Sequence, residues 1–158
     1  MIQHIPLEKI LFLDIETVPQ AGNWEELNET DQYLWDKKTR MQRKEDVTSQ
    51  EFYNERGGIM AEFGKIICIS VGILEKSEKL MIKSFSGDDE RKLLEEFGEI
   101  FNHPKLNDVI LCAHNGKEFD FPWIARRFLI NGMQPPKPFQ MFGKKPWEIP
   151  HLDTMELW

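Results

Sequence analysis

The run Ile10-Leu-Phe-Leu-Asp-Ile15 constrains this chain more than any other feature. It is too short for an ordinary helix and nearly apolar throughout, which is the pattern of a strand buried on both faces of a covered sheet. Three further runs supply its partners. Ile66 to Leu74 and Leu80 to Phe85 flank the polar stretch Glu75 to Glu78, which predicts an antiparallel hairpin, and Val109 to Ala113 is a fourth strand. Ser86-Gly-Asp-Asp89 has a capping-box pattern, and Leu93, Leu94, Phe97, Ile100 and Phe101 follow at helical spacing, so a helix is predicted from about Asp88 to Phe101. Phe121, Ile124, Phe128 and Leu129 mark one face of a second helix that Asn131-Gly132 ends. Strand, hairpin, helix, strand, helix is a mixed α/β order.

Two stretches exceed a minimal domain. About fifty residues separate the first two strands, and the charged segment between them carries Leu27, Leu34, Trp35 and Phe52 at helical spacing, so residues 20–62 read as a helical insertion. Prolines at 135, 136, 138, 146 and 150 predict an extended arm leading into Leu152 to Trp158. A length of 158 residues with 41% hydrophobic content suits one domain, 1–158. No window approaches 18 consecutive apolar residues, and Glu8 with Lys9 interrupts the start, so a cytoplasmic protein with no membrane partner is expected. Cys68 and Cys112 lack metal or redox spacing and read as reduced core thiols.

A net charge of −7 argues against holding nucleic acid by bulk electrostatics. The positive charges are clustered, however: Lys37, Lys38, Arg40, Arg43 and Lys44 fall within eight residues, and Arg126-Arg127 and Lys144-Lys145 form pairs. Taken singly, each cluster reads as a solvated surface rather than a binding patch.

The chemistry concentrates at two places. Asp14 and Glu16 lie two apart at the end of the first strand, where alternation projects both carboxylates from one face. Two adjacent acids without a counter-charge are costly, and a divalent cation is the usual compensation, although such pairs also occur as solvated loop entries. The second place is His114-Asn-Gly-Lys-Glu-Phe-Asp120, which leaves the fourth strand and enters a helix. Sites in α/β sheets form beyond the carboxyl ends of strands, so if the first and fourth strands are parallel neighbours, Asp120 faces the acidic pair. The plain alternative is that Asp120 caps the helix and Asn115-Gly116 makes a turn.

Asp14-Ile-Glu16-Thr17 resembles the first motif of the DEDD 3′→5′ exonuclease superfamily, and Asn115-Gly-Lys-Glu-Phe119-Asp120 resembles its second. Within that superfamily the chain is most similar to predicted bacterial exonucleases related to the exonuclease domain of family B DNA polymerases, on the runs LFLDIETVP and HNGKEFDFPWIARR. The resemblance covers the whole chain. It implies a ribonuclease H-like fold with a five-stranded mixed sheet flanked by helices. It also implies two Mg²⁺ or Mn²⁺ ions held by Asp14, Glu16 and Asp120 as catalytic metal ligands. The implied substrate is the 3′ end of single-stranded nucleic acid, with DNA favoured over RNA, hydrolysed to nucleoside monophosphates. Thr17, Val18, Asn115 and Phe119 are implied to contact the terminal nucleotide.

The third motif of that superfamily, a Tyr or His followed four residues later by Asp, is absent. The chain is therefore expected to lack the C-terminal part of the fold, to be weakly active or inactive by itself, and to be open to self-association. The alternative is a catalytically incomplete nucleic-acid-binding or regulatory module of the same fold. Asp153 is expected to cap or support rather than ligate, and His114 to pack behind the sheet. His4 and His103 are read as peripheral. Trp24, Trp35 and Trp123 are read as core, and Trp147 and Trp158 are left open.

Overall fold

The computed structural model describes residues 5–75, 79–106 and 108–157, with residue 146 described by its backbone alone. His4, Trp158 and most of the predicted hairpin connection lie outside the described residues. The chain divides into two compact units, one formed by residues 1–16 and 67–158 and the other by residues 17–66.

In the larger unit, five strands stand in the order β3-β2-β1-β4-β5. They are β1 (Ile10–Pro19), β2 (Gly64–Leu74), β3 (Leu80–Ser86), β4 (Ile110–Ala113) and β5 (Leu152–Asp153). The hairpin prediction holds: β2 and β3 are antiparallel, with Ile69 opposite Phe85. β4 runs parallel to β1 in the register Ile10 with Ile110 and Phe12 with Cys112, and β5 runs parallel to β4.

The first strand corrects the expectation of burial on both faces. Leu11, Leu13 and Ile15 are buried while Phe12, Asp14 and Glu16 are exposed, a strict alternation that leaves one face open. The open face continues into a shallow apolar cleft of about 370 Å³ lined by Phe12, Ser70, Gly72, Leu80 and Ile82. Cys68 is only half-buried, whereas Cys112 is in the core, where burial pushes its thiol pKa up.

Helix α3 (Glu90–Glu99) follows the hairpin, and α4 (Asp120–Ile130) follows β4. The cap of α3 is Asp89, not Ser86, because the Asp89 carboxylate accepts from the Lys92 amide at 3.1 Å. Phe97 is fully buried among the rings of Phe85, Phe101 and Phe139, at centroid distances of 5.7, 5.3 and 5.7 Å. A buried ion pair ties the two helices: Arg127 Nε donates to Glu90 Oε1 at 2.9 Å, and Asn131 Nδ2 donates to Glu90 Oε2 at 3.0 Å. Arg127 is thus a core residue and not half of a basic surface pair, which corrects the charge reading. Leu129 is 52% exposed and lies off the packed face of α4.

The proline-rich arm is less extended than predicted. It makes short 3-10 turns at Lys137–Phe139 and Pro146–Glu148 before β5. Among the described residues no helix is long and apolar enough to cross a membrane.

The unit 17–66 carries α1 (Glu29–Thr39) and α2 (Ser49–Arg56). Asn28 caps α1 by accepting from Asp31, and Thr48 with Glu51 forms a reciprocal capping box on α2. Leu27, Trp35, Tyr53 and Phe63 form its core, with Trp24 and Phe52 packed against them. Leu34 faces away and is 46% exposed, so the helical stripe of α1 runs through Trp35 and Thr39 instead.

Candidate active site

Parallel pairing brings the carboxyl ends of β1, β4 and β5 to one edge of the sheet. Asp14 lies two residues past Phe12, His114 two past Cys112, and Asp153 pairs with Ala113, so three adjacent strands deliver polar groups at one level. This is where α/β sheets build sites.

Asp120 is the first residue of α4 and is only 4% exposed. Burial, opposed by its own backbone amide and then reinforced by the Asp14 carboxylate, pushes its pKa up to about 6, while the Ile15 amide hydrogen-bonded to it acts in the opposite sense. Asp120 therefore ties the start of α4 to the end of β1 and sits beside Asp14. Among the described residues no ion pair involves Asp14, Glu16 or Asp120. A nearly dry carboxylate next to a second carboxylate, with hard oxygen donors and no cation, fits a divalent ion in both charge and ligand chemistry.

Glu16 is exposed, and among the described residues no three His, Cys, Asp or Glu side chains are grouped closely enough to hold a metal. Asp120 is thus linked to the end of β1 through Asp14 and Ile15, and Glu16 lies on the same exposed strand face as Asp14.

The connection from β4 to α4 is tightly held. Asn115 takes φ 58°, a left-handed conformation that Asn tolerates among non-glycine residues. Gly116 is required by space, since a Cβ there would lie 2.5 Å from the Ala113 Cβ and 2.9 Å from the Phe121 ring. Phe119 is half-buried with its ring 6.2 Å from Trp123. It occupies the N-cap position of α4 without making a side-chain cap.

His114 does not pack behind the sheet. It is exposed, with Nδ1 hydrogen-bonded to Thr154 Oγ1 at 2.9 Å. Thr17 and Val18 continue β1 in the unit 17–66, where the Thr17 hydroxyl donates to the Gly58 carbonyl at 2.7 Å. Trp123 and Trp35 are core, Trp24 is partly buried, and Trp147 is 81% exposed. His103 sits at the end of a 3-10 turn and accepts from the Lys105 amide.

Two residues of the arm matter more than their spacing suggested. His151 is buried, its Nδ1 accepting from the Leu111 amide at 3.1 Å and its Nε2 donating to the Pro138 carbonyl at 2.7 Å. Asp153 is 3% exposed and accepts from the amides of Asn115, Lys117 and Met155 at 2.8, 3.1 and 3.0 Å. Burial alone would raise its pKa. The three backbone donors and the Lys117 charge outweigh burial and hold the carboxyl below its ordinary value. The available signal was a polar, apolar, acid triplet in an arm otherwise full of proline.

No curated protein matches the sequence. The family B DNA polymerase of the hyperthermophilic archaeon Pyrobaculum calidifontis is a solved structure similar to it, at 16% identity and a TM-score of 0.43, over 78% of this chain. The chain spans 11% of that polymerase chain. The sequence model of the RNase_H superfamily matches residues 52–157, about two-thirds of the chain, from α2 through β5 and beginning after Asp14 and Glu16. With its mixed five-stranded sheet and that match, the chain belongs to the RNase_H superfamily.

Proposed function

We propose that this chain is a metal-dependent 3′→5′ exonuclease domain that hydrolyses phosphodiester bonds at the 3′ end of single-stranded nucleic acid, DNA before RNA, in the cytoplasm. The observation that carries this reading is the buried Asp120 beside Asp14 where two parallel strands end, with no Lys or Arg ion pair to either carboxylate among the described residues. The superfamily match supports a nuclease in general terms.

Asp14, Glu16 and Asp120 would hold Mg²⁺ or Mn²⁺. When bound, such ions would supply electrostatic stabilisation of the charge that develops as water displaces the terminal nucleotide. The protein groups do the rest. The Ile15 amide fixes the Asp120 carboxylate, the closed connection of residues 114–119 keeps α4 in place, and Asn115 and Phe119 would shape the seat of the terminal nucleotide. A second reading, a nucleic-acid-binding module without turnover, is favoured by the absence of a three-carboxylate group among the described residues.

The test is Mn²⁺-dependent release of mononucleotides from a 3′-labelled single strand by the chain and by Asp14→Asn. The release expected of the chain by itself is weak, and Asp14→Asn is expected to bring it below detection with the fold retained. A loss below tenfold, a barrier change under about 1.4 kcal/mol, would remove Asp14 from the chemistry. Strand binding without measurable release by either protein would favour the second reading.

A further inference from the structure

We propose that Asp153 is a positioning residue whose carboxylate fixes the connection Asn115–Asp120 in the shape that presents Asp120 to the end of β1. This role rests on the hydrolytic reading of Asp14 and Asp120.

The connection from β4 to α4 is six residues long and bends through a left-handed residue, so its amides cannot be satisfied by strand or helix. The N-cap position of α4 offers no side-chain acceptor. Asp153 supplies what is missing. Its Oδ1 accepts from the Asn115 amide at 2.8 Å and the Met155 amide at 3.0 Å, and its Oδ2 accepts from the Lys117 amide at 3.1 Å. Three of roughly four acceptor positions of the carboxylate are thereby taken by main-chain donors, which suits an anchor better than a metal ligand.

The fixed geometry passes on to the helix through the connection itself. Phe119 N donates to Asn115 O at 3.0 Å, Phe121 N to Gly116 O at 2.9 Å, and Trp123 N to Phe119 O at 2.9 Å. Asp120 lies between two of these donors. Release of Asn115 and Lys117 therefore frees the first turn of α4, and a misplacement of about 1 Å at a reacting group can cost 10²-fold in rate. Asparagine does not replace the anchor. With its oxygen at the Oδ1 position it keeps Asn115 and Met155 but sets an NH₂ group against the Lys117 N–H.

The experiment compares the chain with Asp153→Asn and with Leu94→Ala, a core change in α3. Amide exchange is read at Asn115, Lys117 and Ile124, and Mn²⁺ affinity by electron paramagnetic resonance. In the parent, Asn115 and Lys117 should exchange slowly despite lying outside regular structure. In Asp153→Asn, exchange at Lys117 should accelerate at least tenfold relative to Ile124, and Mn²⁺ should bind about 10- to 100-fold more weakly, as when the residue behind a metal ligand is lost. Leu94→Ala should lower the unfolding midpoint and leave Mn²⁺ affinity unchanged.

If Asp153→Asn behaves like Leu94→Ala, the residue is merely structural and the proposal falls. If Asp153→Asn does not fold, the parent decides: Asn115 and Lys117 amides exchanging at the rate of an open chain would overturn the anchor, and protected ones support it. If Mn²⁺ binding is unchanged in Asp14→Asn, the hydrolytic reading fails by itself, and the exchange data still decide whether Asp153 holds the connection.

Discussion

Glu90 and Asp120 are both carboxylates in the larger unit with under a tenth of their surface exposed, yet their surroundings are opposite. Glu90 meets the Arg127 guanidinium and the Asn131 amide, so its charge is answered inside the protein. Asp120 meets Asp14, and what relieves it is the backbone amides of Asp120 and Ile15. The first arrangement ties two helices together. The second spends stability on a local field that attracts cations, which is what a site needs and a core does not.

Breaking the compensated pair should have the largest effect. Arg127→Met leaves Glu90 buried without its cation and should destabilise the chain by about 3–5 kcal/mol, read from urea unfolding at pH 7.5. A cost below about 1 kcal/mol would mean that Glu90 reaches water easily and that the contrast with Asp120 is not one of charge.

Removing the uncompensated charge should have the opposite sign. Because the Asp120 carboxyl is raised, its protonated form is the one the fold prefers, so its unfavourable contribution is absent below the usual carboxylate range near 3.8 and grows as pH rises through about 6. Asp120→Asn should stabilise the metal-free chain at pH 8 by at most ~3 kcal/mol, at about 1.4 kcal/mol per pH unit between those values. Parent and variant should converge at pH 4. Thermal unfolding in chelator across this range checks the sign.

Mn²⁺ should then invert the order. At a hundredfold excess over its dissociation constant a ligand stabilises by about 2.7 kcal/mol, and the parent should gain this while Asp120→Asn gains much less. Equal gains would place the ion elsewhere. The smallest effect is expected from Asp14→Asn, because Asp14 is exposed and its repulsion of Asp120 is screened. The gain in metal-free stability should stay under about 1.4 kcal/mol and shrink in 0.5 M salt, while the Asp120 carboxyl titrates lower but still above its ordinary range.

These contrasts also show what the amino-acid order revealed and what it hid. Apolar runs located four strands, and alternation placed Asp14 and Glu16 on one face, because both signals are local to a strand. The bond between Asp120 and Ile15 was foreseeable only through topology, which required β1 and β4 to be parallel neighbours. β5 was hidden because two residues carry no periodicity. Its place is set by His151 and Asp153, whose partners Leu111, Asn115 and Lys117 lie 36 to 40 residues away. Arg127 looked like surface charge for the same reason, since its partner Glu90 is 37 residues distant. Phe12 and Leu34 were misjudged because hydrophobicity alone does not say which face another element will cover.

His151 works as a datum for chain length. Its ring is pinned at both nitrogens, to Leu111 on β4 and to Pro138 in the arm, and this fixes where the count of residues into β5 begins. Upstream of that point, the exposed turn around Lys144 and Lys145 can gain or lose a residue without moving Asp153, because slack is taken up before the pin. A single insertion between His151 and Asp153 has no such outlet. It would turn the carboxylate to the opposite side of the strand, so the arm is free to vary in length on one side of a histidine and rigidly counted on the other.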